Sequence, residues 1–211
     1  MRTKNNQELK SKKIYLIRHG QTDFNQQGIV QGSGVDSSLN DKGRYQASQF
    51  YQAYKHVKFD KIYTSSLKRS IESVQTFIDD GIPNEQLSGL NEINWGTREG
   101  TKVTPEEDVY YHSVIKAWQD GDVALPIEGG ECPEDVFKRQ TKALKIIESD
   151  NSETILICMH GRAMRILLCQ MLNYPLHCMD TFGHSNLCLY ILNYSGSIYS
   201  IETFNSTNHL K

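Results

Sequence analysis

The sequence predicts an α/β fold: a three-layer α/β/α sandwich with a mainly parallel central sheet and one inserted lid segment. Three observations lead there. Short apolar runs rich in Ile, Leu and Val alternate with longer segments whose apolar residues recur at three- and four-residue steps. Two of the runs end abruptly in polar residues, as buried strands do where they deliver a loop to a sheet edge. A length of 211 residues fits one sizeable domain with a real core and leaves little room for a second.

The elements follow in order. Lys13-Ile14-Tyr15-Leu16-Ile17 reads as a buried strand, and a loop comes after it. Asn40 is an N-cap, and Tyr45, Ala47, Phe50, Tyr51 and Tyr54 carry a helix to about residue 56. Residues 59–63 form a second strand. Leu67, Ile71, Val74 and Ile78 predict one amphipathic helix over 66–79, closed by Gly81 and Pro83. The stretch 96–131 has a weaker pattern, with Val109, Val114, Ile115 and Trp118 lining one helix face, and reads as an insertion. A helix over 137–147, a strand over 154–159 and a helix over 163–172 follow. Residues 187–192 and 198–204 make a terminal hairpin around Ser195-Gly196.

Bulk composition excludes several function classes. With 38% hydrophobic and 23% charged residues and a net charge of -2, the chain lacks the basic face of a nucleic-acid binder. Arg2, Lys4, Lys10, Lys12 and Lys13 form a basic cluster at the N-terminus, and residues 1–12 read as a flexible basic tail. No signal-type apolar region stands there, and no run reaches the ~18 apolar residues of a membrane span, so a cytoplasmic location is expected. The five cysteines contain no C-x-x-C pair, which predicts reduced thiols and no metal knuckle.

One internal likeness points to chemistry. Ile14 to Gly20 and Ile155 to Gly161 each run from an apolar strand straight into His-Gly, at His19-Gly20 and His160-Gly161. A lone histidine there would read as a satisfied structural residue. The duplication, with Arg18 beside one copy, places two rings in one crevice if the strands are neighbours, because α/β sheets bind ligands beyond strand carboxyl ends. Arg69 follows a strand and opens a helix, where its fork could meet an anion. Taken alone, Arg69 reads as solvated surface charge; for Arg162 and Arg165 helix-surface charge is the default reading, with substrate contact as the alternative.

These residues and their spacing resemble the histidine phosphatase superfamily, also called the phosphoglycerate mutase-like family, over most of the chain from residue 13. The opening signature stands as Arg18-His19-Gly20-Gln21-Thr22-Asp23-Phe24-Asn25. The Ser-x-Leu-x-Arg segment corresponds to Ser65-Ser66-Leu67-Lys68-Arg69, the Glu segment to Leu90-Asn91-Glu92 through Gly100, and the second His-Gly to His160-Gly161. The resemblance implies a single catalytic domain over 13–211 with 96–131 as its lid. It makes His19 the nucleophile, Arg18, Arg69 and His160 the phosphate cradle, and Glu92 the general acid, with Glu99 and Glu131 as reserves. Asn25, Gln31, Gly32 and Gly161 are the implied substrate-binding positions, and neither metal nor cofactor is expected.

The implied set suits the reaction. A neutral imidazole is nucleophilic near pH 7, and phosphoryl transfer is catalysed largely by positioning and by stabilising charge on equatorial oxygens. A phosphatase acting on a small phosphorylated metabolite is favoured over a phosphoglycerate mutase. Between Gly96 and Glu131 eight acidic residues stand against three basic ones, wrong for gripping a bisphosphate, and Ile93 follows Glu92 where the mutases carry Arg. A non-catalytic phospho-ligand binding domain is the remaining alternative. Gly32-Ser33-Gly34 is too little for a dinucleotide fingerprint. Oligomeric state is open, a homodimer being one option.

Overall fold

A computed structural model describes residues 11–102 and 105–211, of which 105–108 by backbone only. The tail expected over 1–12 therefore lies outside the described residues up to residue 10. Its end is not tail: Lys12 opens strand β1 (Lys12–Arg18), is 3% exposed, and donates through Nζ to the Asp150 and Ser152 carbonyls at 2.6 and 2.7 Å.

The remaining strands are β2 (Lys61–Thr64), β3 (Asn84–Gln86), β4 (Thr154–Met159), β5 (Leu189–Tyr194) and β6 (Tyr199–Ser206), in the spatial order β3-β2-β4-β1-β5-β6. Neighbours from β3 to β1 pair in parallel, whereas β5 and β6 add antiparallel. The sheet is mixed, with a parallel centre. The hairpin starts later than expected, because Leu187 sits at φ 54 in the left-handed region and the chain extends only beyond it.

Alternation along β1 and β4 shows why both are continuous apolar runs. Ile14, Leu16, Ile155, Ile157 and Met159 face one core, and Tyr15, Ile17, Leu156 and Cys158 face the other. A strand buried on both faces has no polar side to alternate with. The first core is covered by α5 (Pro105–Gln119), α6 (Pro133–Ser149) and α7 (Gly161–Leu172), and the second by α2 (Asp41–Tyr54) and α4 (Gln75–Asp79). That is the three-layer arrangement. Asn40 caps α2, accepting from Gly43 N at 2.9 Å.

Three local expectations fail for identifiable reasons. The loop after β1 holds a short helix, α1 (Asp23–Gln27), opened by a reciprocal cap between Thr22 and Asn25. The single helix over 66–79 is two, α3 (Lys68–Glu72) and α4, because the Ser73 hydroxyl donates to the Arg69 carbonyl at 2.6 Å and accepts from Gly20 N. Val109 is 72% exposed. At 3.6 residues per turn it stands about 140° from Val114, off the face that buries Val114, Ile115 and Trp118. The inserted segment is nonetheless anchored: Trp118 is fully buried and its indole N–H donates to the Leu125 carbonyl at 2.8 Å.

Among the described residues no helix is long and apolar enough to cross a membrane.

Candidate active site

The site is set by one pairing. β1 and β4 are adjacent and parallel with Arg18 opposite Met159, so their His-Gly continuations leave the sheet at one level. His19 N bonds the Met159 carbonyl at 3.0 Å, and the His19 and His160 ring centres lie 5.1 Å apart. Both rings are buried, and both have pKa values well below the usual histidine range. Burial is the main cause for each, followed by Arg18 and Arg69 at His19 and by Arg69 and His19 at His160. Neutral imidazole is therefore the resting form of the pair.

Their tautomers follow from their partners. His19 Nδ1 faces the Gly20 carbonyl at 2.7 Å; a carbonyl only accepts, so Nδ1 carries the hydrogen and Nε2 the lone pair. His160 Nε2 lies 2.7 Å from Ser65 Oγ, which is also 2.7 Å from Ser70 Oγ. The Ser70 hydroxyl donates to the Leu67 carbonyl at 2.8 Å, so Ser65 donates to Ser70 and accepts from His160 Nε2–H. His160 Nδ1 is left buried with no described partner.

Arg69 leaves the start of α3 fully buried, its Nη1 and Nη2 donating to the Val35 and Gly32 carbonyls at 2.6 and 3.0 Å. Burial pushes its pKa down to about 10, still protonated at neutral pH. Arg18 Nη1 reaches His184 Nδ1 at 3.0 Å. Arg18 Nε and Arg69 Nε, like His160 Nδ1, are buried without a hydrogen-bond partner among the described residues.

Glu92 meets the N-terminus of α7. Its Oε1 accepts from Ile93 N and Ala163 N at 2.9 and 2.8 Å, and its Oε2 from Arg162 N at 3.1 Å. Each carboxylate oxygen has two lone-pair directions, so Oε1 is saturated and Oε2 keeps one open. The reserve acids are placed elsewhere. Glu131 pairs with Arg139 at 2.9 Å, and Glu99 accepts from Trp95 N at 2.9 Å while lying against Gly32 and Gly34.

A cavity of about 350 Å³ opens beside this cluster, lined among others by Arg18, Asn25, Gln31, Glu92, Gly161 and His184. Asn25 spends Oδ1 on Thr22 N and on Asn186 Nδ2, each at 3.2 Å. Gln31 is tied to Thr22 and Ser37. Gly161 must be glycine-small, since a Cβ there would come 2.9 Å from His184 Cε1. Gly32 stands apart: its carbonyl holds Arg69, it does not line the cavity, and a Cβ on it would overlap Glu99 Oε1.

Sequence reasoning missed His184, whose neighbours carry no motif. Burial, then Arg18 and Arg165, push its pKa down to about 3. Of the two readings for Arg162 and Arg165, surface charge or substrate contact, the default fails. Neither is surface charge: Arg162 is 7% exposed, and both line the cavity. The charge of 96–131 says nothing of these cations, which come from α7. Among the described residues no cluster of three or more His, Cys, Asp or Glu is placed to hold a metal ion.

A family model of the histidine phosphatase superfamily (branch 1) matches residues 14–207. The chain belongs to that superfamily. It is similar to a broad-specificity phosphatase of Saccharomyces cerevisiae, 28% identical over 210 residues, which cover 94% of this chain and 87% of that protein. It is also 32% identical over 163 residues to human 6-phosphofructo-2-kinase/fructose-2,6-bisphosphatase 4, covering 76% of this chain but 33% of that longer protein. Among solved structures, the Entamoeba histolytica phosphoserine phosphatase in complex with 3-phosphoglyceric acid superposes with a TM-score of 0.81 at 26% identity, over 95% of this chain and all of that one.

Proposed function

We propose that this histidine phosphatase family member hydrolyses small phosphomonoesters without a metal ion, through a phosphohistidine on His19. The observation that carries this reading is a pair of buried donors without partners, Arg18 Nε and Arg69 Nε, together with the unpartnered Nδ1 of His160, around the neutral imidazole of His19. Each unsatisfied donor in a dry site costs about 1–3 kcal/mol, and a phosphoryl group brings three acceptor oxygens. The negative charge of the arriving phosphoryl group favours uptake of a proton by His160, from solvent or from a monoanionic substrate, and this turns Nδ1 into a third donor.

His19 Nε2 attacks phosphorus, the P–O bond to the alcohol breaks, and the leaving oxygen takes a proton from Glu92 Oε2, the oxygen with an open direction. Water then attacks the phosphohistidine, returning its proton to the same carboxylate and releasing inorganic phosphate. Relatives suggest the first substrates to try: phosphoserine and 3-phosphoglycerate are bound by the Entamoeba histolytica protein.

The test is turnover of para-nitrophenyl phosphate, phosphoserine and 3-phosphoglycerate, with rapid-quench labelling. Wild type should form an acid-labile, base-stable phosphoenzyme that His19→Ala lacks; label retained on that variant would contradict the assignment, as would inhibition by chelator that one metal reverses. Phosphoryl exchange between phosphoglycerates that requires 2,3-bisphosphoglycerate would make the protein a mutase instead.

A further inference from the structure

Of the cavity's lining, the phosphoryl chemistry uses Arg18 and Glu92 and leaves the wall formed by Arg162 and Arg165 unexplained. Arg162 and Arg165 stand there on the first turns of α7, and both point Nη1 at a single oxygen, Oδ1 of Asp180, at 2.5 and 2.6 Å. The other Asp180 oxygen accepts from Gln119 Nε2 at 3.0 Å, which ties the end of α5 to the same carboxylate. Arg165 is fixed further by Nε donating to the Phe182 carbonyl at 2.8 Å, and Arg162 lies over the Trp118 ring at 5.6 Å. Asp180 does not itself line the cavity; the two guanidiniums do.

Donor accounting shows what this wall offers. Among the described residues nothing accepts from Arg162 Nε and Nη2 or from Arg165 Nη2. Two guanidiniums held around one carboxylate carry a net charge of +1, and two other elements, α5 and the turn over 176–182, fix their positions. Burial opposes the charged form of Asp180, but Arg162, Gln119 and Arg165 outweigh it and hold the carboxyl below its usual range. Forked N–H donors at net +1 match one carboxylate, which is planar and carries one charge. A second phosphoryl dianion would leave uncompensated negative charge beside Asp180 in a partly buried place.

We propose that Asp180 is a specificity-determining positioning residue: it sets Arg162 and Arg165 as a fork for one carboxylate on the substrate's alcohol portion and disfavours a second phosphoryl group there. This rests on the phosphatase reading and narrows it to phosphorylated hydroxy or amino acids. On this reading a cavity with three arginines in its lining is a poor grip for bisphosphates.

The test compares three substrates that differ at the far end: glycerol 3-phosphate, 3-phosphoglycerate and propane-1,3-diol bisphosphate. Wild type should prefer 3-phosphoglycerate over the bisphosphate at least tenfold in kcat/KM. Asp180→Asn keeps an acceptor oxygen for both arginines but removes the charge. It should lower KM for the bisphosphate at least fivefold relative to glycerol 3-phosphate in the same preparation, with the change in KM and not kcat, and Asp180→Glu should restore the preference. Equal shifts for all three substrates would mean a structural role only and overturn the proposal. So would a wild type that takes the bisphosphate as well as the carboxylate, a result that decides even if the variants do not fold. Turnover of glycerol 3-phosphate and para-nitrophenyl phosphate without a carboxylate preference removes this inference and leaves the phosphatase reading standing; no turnover of any of the four overturns both.

Discussion

Ser65 Oγ lies 2.7 Å from His160 Nε2, and this contact decides which nitrogen of the ring is left for a ligand. The serine accepts because its own hydrogen goes to Ser70, so the chain Ser70, Ser65, His160 orients an imidazole otherwise held only by packing. Ser65→Ala removes the acceptor and leaves His160 free to adopt either neutral tautomer. A hydrogen bond to a group that becomes charged contributes about 1.5–3 kcal/mol, so kcat/KM should fall about 10- to 100-fold. Nitrogen NMR of labelled histidine checks the cause: wild type should show a single Nε2–H form at His160, and the variant a mixture.

Glu92 is held by three backbone N–H groups, so replacing it with Gln preserves its shape and two of its acceptor contacts. Glu92→Gln should lower turnover of an alkyl phosphate by about 10²–10⁴, the usual contribution of general acid catalysis. With para-nitrophenyl phosphate, whose leaving group needs no proton, formation of the phosphoenzyme should slow less than tenfold. Equal losses in burst kinetics on both substrates would move the proton donor elsewhere.

His19 and His160 are buried and His184 is half-buried, and all three have lowered pKa values, the last at about 3. Unfolded, each titrates near 6.5. Below that pH the unfolded chain binds protons that the folded one refuses, so stability must fall as pH drops from about 6.5, and for His184 it keeps falling to about pH 3. Each such histidine adds up to about 1.4 kcal/mol per pH unit to the slope. Urea unfolding at pH 7, 6 and 5 measures it, and His184→Gln should flatten the curve by about one histidine's share.

Trp118 connects the inserted segment to the cavity wall. It is fully buried, neighbours Trp95 at 6.1 Å between ring centres, and lies under Arg162. Trp118→Ala should cost about 3–5 kcal/mol in chemical denaturation. Trp118→Phe should cost less and raise KM while leaving kcat near wild type, because the phosphoryl end of the cavity is untouched.

The chain alone determined the chemistry-bearing positions and the central strands, for a physical reason. A strand buried on both faces must be apolar throughout, so 154–159 was legible to the residue, and the return of His-Gly after two such strands marked their polar ends. Asn40 was legible because an N-cap acts within three residues. Where the outcome depended on what a distant segment brings, local pattern had no access to it. Hydrophobic spacing gave one helix over 66–79, and only the docking of Gly20 on Ser73 broke it. Nothing local in the sequence separates surface charge from a ligand contact for Arg162 and Arg165; Asp180, which pairs with both, and Trp118, which lies against Arg162, come from other elements. The adjacency of β1 and β4, which brings His19 to His160, is a property of strand order, and strand order is settled by how all the layers pack together.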